Sequence, residues 1–329
     1  MMHAVLILSV LASVMPAMLY LLTVRWLGRL EREPLHVILL VMAWGAIGST
    51  VVGLVTAGFI EDVMALYDPG LGAFGLTSFA FYVPLAEELA KAVVLIALAT
   101  THRLSHTTSG LVYGMAVGLG FAITENIVYG IHIFQSGGLE QWYVNTVVRT
   151  LFSATAHGVC SAMMGFALGW SQTRVPGQRR IVLGAVVGLS TAVLLHGMWN
   201  AAIFTGNATG NPFFSMATFL ASPILLTMVS VLTWRSLRTE RAILLRELTE
   251  ESRHGLMPAT HVRFLSAPRR ERNAEDLARM IAPRRYVALA GRLALSRRLG
   301  RPEAELETVR TQIRALLEAS ASIKGEDAS

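Results

Sequence analysis

The sequence predicts an all-α polytopic membrane protein of about seven transmembrane helices with a helical cytoplasmic C-terminal extension, and three observations predict it. Hydrophobic residues make up 53% of the chain against 15% charged, with a mean hydropathy of +0.52, and a soluble protein of 329 residues needs far more charge to cover its surface. Seven apolar runs are each about long enough to cross a hydrocarbon core of roughly 30 Å at about 1.5 Å per residue. The runs are continuously apolar and not alternating, which selects helices over barrel strands. The single cysteine, Cys160, lies in an apolar stretch and excludes an internal disulfide framework or a Cys-based zinc module.

The spans fall at about 4–24, 35–59, 72–101, 109–134, 147–172, 181–205 and 213–235. Only Met1, Met2 and His3 precede the first, whereas Arg25, Arg29 and Arg32 follow it, so it reads as an uncleaved span with its N terminus outside. The later loops test this. The second holds Glu61, Asp62 and Asp68, the third Arg103, the fourth Glu140, the fifth Arg174, Arg179 and Arg180, and the sixth no charge. Basic loops alternate with acidic or neutral ones, which predicts a multi-pass cell-membrane protein with an external N terminus and a cytoplasmic C terminus. Arg149, near the outer end of the fifth span, is the one charge that does not fit.

Residues 1–234 carry nine charges of each sign, so the whole net charge of +6 belongs to the tail. This divides the chain into a transmembrane domain, 1–236, with a motif core at about 75–205, and a basic, mostly helical cytoplasmic tail, 237–329. Pro258, Pro268, Pro283 and Pro302 break the tail into short helices, and Leu306, Val309, Ile313 and Leu316/Leu317 repeat with the period of an amphipathic one. Its charge suits the anionic face of a lipid bilayer. Without interleaved aromatics, no nucleic acid is expected as a partner.

Ionisable side chains inside a bilayer cost a few kcal/mol each, so a group of them needs a shared explanation. Span three carries Glu87, Glu88 and Lys91, span four Glu125 beside Asn126, span five His157, and span six His196 and Asn200. Counted from the cytoplasmic ends at about 1.5 Å per residue, Glu87, Glu125, His157 and His196 lie at about 21, 24, 22 and 22 Å. Four helices of alternating direction thus put polar groups at one level, above the midplane. Lys91 can reach either carboxylate from i+4 or i+3, while the two carboxylates diverge by about 100°, so one Glu faces a cavity and the other an internal partner. Gly110, Gly114 and Gly118, Gly165 and Gly169, and Gly184 and Gly188 recur every fourth residue, allowing helices to approach closely. His102, His106, His132, Trp142 and Tyr143 read as interface residues.

The segments Glu87-Glu88-Leu-Ala-Lys91, Phe121-Ala-Ile-Thr-Glu125-Asn126, Thr-Ala-His157-Gly and His196-Gly-Met-Trp-Asn200 resemble the PrsW family of intramembrane proteases, itself related to the CAAX prenyl protease and bacteriocin-processing (CPBP) membrane proteases. The resemblance covers about 75–205. It implies peptide hydrolysis in or just outside the bilayer, acting on a single-span membrane protein, an anti-sigma factor in regulated proteolysis being one such signalling substrate. Carried over by motif, Glu87 is the candidate base with Glu88 its rival, Glu125 positions water or serves as a ligand, and His196 with Asn200 donates to the oxyanion. Lys91 and Asn126 support these groups. The second motif ends in Glu125 where the CPBP enzymes have His, and His157 is the residue that can take that role.

The residues admit this chemistry without the family. Amide hydrolysis needs an activated water, an oxyanion donor and an acid for the leaving amine, which carboxylates and imidazoles supply. Either a glutamate activates water with no cofactor, or zinc does, with Glu88, Glu125, His157 and His196 as candidate ligands. There is no His-Glu-x-x-His helix. Cys160 reads as a small core residue. The rival function classes are a transporter or proton-coupled carrier using the Glu/Lys/His layer, and a non-catalytic membrane scaffold.

Overall fold

The computed structural model describes residues 1–27, 33–67, 75–101, 103–175, 179–266 and 283–326. Among them every regular element is a helix. Arg29, Arg32, Asp68, His102 and Pro268 lie outside the described residues. The chain forms two compact units, one reaching Thr233 and one from Trp234 onward.

The first unit contains α1 (Met2–Leu27), α2 (Leu35–Ala43), α3 (Thr50–Tyr67), α4 (Val83–Thr100), α5 (Thr107–Val148), α6 (Ala154–Arg174), α7 (Arg179–Thr209) and the beginning of α8 (Pro212–Arg253). Three π-helical turns interrupt it: Trp44–Ser49 between α2 and α3, Ser78–Tyr82 before α4, and Arg149–Ser153 between α5 and α6.

Five helical stretches are long and apolar enough to cross a membrane: Met2–Thr23, Leu35–Phe59, Thr107–Arg174, Arg179–Thr209 and Pro212–Arg253. The expected seven differs from this count for two physical reasons. The predicted span at 72–101 carries Glu87, Glu88 and Lys91, and is too polar to count by apolarity. The stretch Thr107–Arg174 is 68 residues long, against about 20 for one crossing, and contains two of the predicted spans.

That long stretch folds back on itself. Gly138, with φ 76°, breaks the helical path where a side chain would be strained. On either side the arms approach within backbone contact: a Cβ on Gly110 would lie 2.0 Å from the Gly165 carbonyl oxygen, on Gly114 2.2 Å from that of Ser161, and on Gly118 2.2 Å from that of His157. Residue numbers rise along α5 as they fall along α6 in equal steps of four, an antiparallel register. The glycine repeat in the sequence therefore sets how closely Glu125 and His157 are carried past each other.

The hairpin is also the centre of the unit. Its most apolar window is 72% buried, against 22–39% for the other four candidate spans. Those present large apolar side chains outward, among them Ile47, Leu54, Val55, Leu194, Met198 and Ile224, as a lipid-facing surface should. α1 is fastened to the hairpin by Trp142 Nε1 donating to Ser9 Oγ at 2.9 Å. Trp142 and His106, expected at the membrane interface, are buried instead, and His106 caps α5 by accepting from the Ser109 backbone N–H.

The second unit packs the end of α8 with α9 (Ala259–Ser266), α10 (Pro283–Arg298) and α11 (Glu303–Glu326). The apolar stripe Leu306, Val309 and Ile313 faces its core beside Leu248, Val262, Leu289 and Leu293. Buried Glu251 accepts from Arg297 Nη1 at 2.7 Å and from Arg310 Nη2 and Nε, both at 2.8 Å. Burial raises the Glu251 pKa, but the Arg310 and Arg297 hydrogen bonds outweigh it and hold the group below the ordinary 4.5. A depressed carboxylate stabilises the fold fully above its unfolded pKa, and that contribution disappears as pH falls through the lowered value. We predict that the melting-temperature gap between wild type and Glu251→Gln, followed by circular dichroism, is constant well above the ordinary carboxylate value of 4.5 and closes as pH falls below that value and through the lowered one. A gap independent of pH would contradict it.

Candidate active site

The π-helical turn at Ser78–Tyr82 leads into α4, whose first turns carry Glu87, Glu88 and Lys91. A π turn leaves carbonyls without their regular partners, and here the Asn200 amide of α7 donates to the Phe79 carbonyl oxygen at 3.0 Å. One helical turn earlier on α7, Gly197 lets the helices meet, since a Cβ there would lie 2.2 Å from the Ala80 carbonyl oxygen. These contacts bring His196 against the two glutamates.

The two carboxylates separate as the helical spacing requires. Glu88 is fully buried and accepts from Lys91 Nζ at 2.8 Å, from His196 Nδ1 at 3.0 Å and from Ser161 Oγ at 3.4 Å. Glu87 is partly open and more loosely held, 3.5 Å from Lys91 Nζ and 3.8 Å from His196 Nε2. Lys91 also lies 3.3 Å from His157 Nδ1, with its ammonium 3.9 Å from the centre of the Phe121 ring.

On the other side, Glu125 Oε2 is 2.6 Å from His157 Nε2 and 2.7 Å from Arg149 Nη2. Arg149 Nε donates to Asn126 Oδ1 at 3.0 Å and its guanidinium lies 3.9 Å from the Tyr129 ring centre. The His157 and His196 rings are perpendicular, with centres 4.8 Å apart.

Hydrogen-bond chemistry assigns the tautomers. Lys91 can only donate, so His157 Nδ1 accepts and its Nε2 carries the proton toward Glu125. Glu88 can only accept, so His196 Nδ1 carries the proton and Nε2 presents its lone pair toward Glu87. A histidine oriented by a carboxylate on its far nitrogen is the usual support of a metal ligand.

One donor atom each from Glu87, His157 and His196 lies within 4.8 Å of the others, a set of nitrogen and oxygen ligands suited to zinc with one position open. The sequence offers Glu88, Glu125, His157 and His196 as candidate ligands for the case in which a metal binds. In the structure Glu88 is hydrogen-bonded by Lys91 and His196, Glu125 lies in close ion-pair contact with His157 and Arg149, and Glu87 is the carboxylate that converges with the two histidines. Six of the sequence candidates, Glu87, Glu88, Lys91, Glu125, His157 and His196, form one contiguous network. Asn126 joins it through Arg149, and Asn200 stands one turn away on the Phe79 carbonyl.

Sequence reasoning missed Arg149 and Ser161 as members of this network. Arg149 had a signal, as the one charge on the wrong side of the loop pattern. Ser161, one turn from His157, had none. Also unforeseen are the clamps around the π turn at Trp44–Ser49, where Thr124 donates to the Ala46 carbonyl oxygen at 2.6 Å and Trp44 Nε1 to that of Ala90 at 3.2 Å. They fix the turns beside Glu125 and Lys91.

The sequence profile of the PrsW family intramembrane metalloproteases matches residues 33–231. The chain belongs to the PrsW family. The matched stretch contains every residue of the network and ends two residues before the first unit does. Protease PrsW of Bacillus subtilis is 30% identical over 190 residues, 58% of this chain and 78% of the relative. Those of Shouchella clausii, 28% identical over 57% and 80% of the two chains, and Clostridioides difficile, 26% identical over 68% and 86%, are similar in the same way. No solved structure matches the chain. PrsW membership and the apolar helices make this a multi-pass membrane protein and an intramembrane protease.

Proposed function

We propose that this PrsW protein is a zinc-dependent intramembrane endopeptidase in which Glu87, His157 and His196 hold the metal. The observation that carries the reading is the convergence of these three donors from three helices within 4.8 Å. When bound, zinc supplies Lewis acidity to the attacking water and the scissile carbonyl. Glu88 orients His196, and Lys91 balances the charge of the paired carboxylates. Glu125, partly exposed beside the three donors, takes the proton of the water as it attacks the carbonyl carbon and delivers it to the departing amine nitrogen as the C–N bond breaks. Asn200 has two amide N–H groups, one given to Phe79 and the other available to the oxyanion.

A second, metal-free reading is favoured by one contact. The Lys91 ammonium already sits between Glu87, Glu88 and His157 as a resident cation, and with it Glu87 would activate water unaided. The two readings differ in metal content.

The substrate we propose is a single-span membrane protein, an anti-sigma factor in a regulatory setting, cut near its extracytoplasmic end. The position of the cut rests on a seven-pass arrangement that we propose with it, N terminus outside, in which the Thr107–Arg174 hairpin makes two passes and the stretch carrying α4 makes one. Reporter fusions after Arg32, Asp68, Arg103, Glu140, Arg180 and Asn207 are expected to alternate in, out, in, out, in, out. Two successive fusions on one side would remove the seven-pass arrangement. Purified protein mixed with reconstituted single-span proteins should release two fragments from at least one of them, whereas a transporter or scaffold would release none.

A further inference from the structure

The geometry points to Arg149 as a positioning residue that holds Glu125 beside the metal-binding trio and outside it, so that one coordination position stays open. This rests on the zinc reading above.

Lys91 occupies His157 Nδ1, so a metal held by His157 must be taken at Nε2, the nitrogen that now faces Glu125 at 2.6 Å. Ligation replaces the proton on Nε2 with a cation, and Glu125 Oε2, which lies against both His157 and Arg149 but accepts a well-formed hydrogen bond from neither, loses one of its two close neighbours. A carboxylate so close to a cation would become a fourth protein ligand, and a metal with four protein ligands has no position for water, as in structural zinc sites.

What remains on Glu125 is Arg149. Its Nη2 is 2.7 Å from the carboxylate oxygen, and the guanidinium is fixed by Asn126 and by the Tyr129 ring. Tyr129 is i+4 from Glu125 and i+3 from Asn126 on α5, so its ring lies beside both, and the guanidinium over it bridges two adjacent residues that point about 100° apart. Arg149 itself stands at the head of the π turn that starts α6, eight residues before His157. The arginine is thus tied to the metal-binding histidine by one helix and to Glu125 by the other. A plain structural ion pair would need neither the Asn126 hydrogen bond nor the Tyr129 ring contact.

The test uses the full-length protein in detergent, loaded with Co²⁺ as a spectroscopic probe, with chelator competition for affinity and acetohydroxamate as a probe of the open position. Wild type and Arg149→Lys should show a cobalt spectrum that changes on adding acetohydroxamate. In Arg149→Ala, Glu125 joins the ligands, so affinity tightens by about tenfold and the hydroxamate response disappears. The response returns in Arg149→Ala/Glu125→Gln. Glu125→Gln alone keeps affinity within about threefold of wild type, and this variant decides the matter if Arg149→Ala fails to fold. Glu125→Gln losing tenfold or more, or a folded Arg149→Ala that responds to acetohydroxamate as wild type does, overturns the inference. Wild type that binds neither Co²⁺ nor Zn²⁺ overturns the zinc reading itself, before any variant is compared.

Discussion

Glu87→Gln will abolish cleavage while lowering stability by less than about 1 kcal/mol. Its carboxylate is the loosest in the network, 3.5 Å from Lys91 and 3.8 Å from His196, and Lys91 keeps its short bond to Glu88 when the charge is removed. Long, partly open contacts of this kind contribute less than about 1 kcal/mol, a melting shift of a few degrees in a domain of this size. The chemical loss is far larger. An amide is a poor substitute for an anionic ligand and cannot act as a base, so turnover should fall by about 10³-fold or more under either mechanism. Cleavage within tenfold of wild type by a folded Glu87→Gln protein would remove Glu87 from the reaction.

Glu88→Gln should fail in the opposite order, through stability first. Glu88 is wholly buried and is the nearest partner of both Lys91 and His196. Neutralising it leaves the Lys91 ammonium in a buried site with only the distant Glu87 opposite. Removing one partner of a buried ion pair costs about 3–5 kcal/mol, which corresponds to a melting decrease of roughly 10 °C. The double variant Glu88→Gln/Lys91→Met removes both charges and should regain most of that stability without regaining activity, because His196 has lost the carboxylate that orients it. Thermal melts of the two variants in the same detergent check this. Equal stability of Glu88→Gln and wild type would mean that Glu88 and Lys91 are not the buried pair described.

The contrast between these neighbours shows where the sequence was informative. The i+3 and i+4 spacing of Lys91 from the glutamates already requires the carboxylates to diverge, and the common depth of Glu125, His157 and His196 requires them to meet. Which glutamate is inside depends on which way α4 is rotated, and that is set by Asn200 on Phe79 and Trp44 on Ala90, contacts between residues far apart in the chain. The same reason hides the π turns, since a single extra residue in a helical turn leaves the apolar pattern almost unchanged. The α5–α6 hairpin was legible in its glycines, whose four-residue interval gives one face of each helix. The break between its arms was legible as the loop between the spans at 109–134 and 147–172, which contains Gly138; the positive φ that makes the turn at Gly138 itself was not, because Gly137-Gly138 lies in a stretch without a clear apolar period. Arg149 was seen only as an anomaly, because the positive-inside pattern records where a charge stands and not what it faces.

The measurement that bears most directly on the account is the zinc content of the purified full-length protein, paired with cleavage of a reconstituted single-span substrate before and after chelation. The account predicts about one zinc per chain in wild type and a large loss of zinc in Glu87→Gln and in His196→Ala. It also predicts that cleavage stops on chelation and returns when zinc is restored. Metal-free protein that cleaves at the full rate would contradict it, and would give the Lys91 ammonium and Glu87 the part assigned here to the metal.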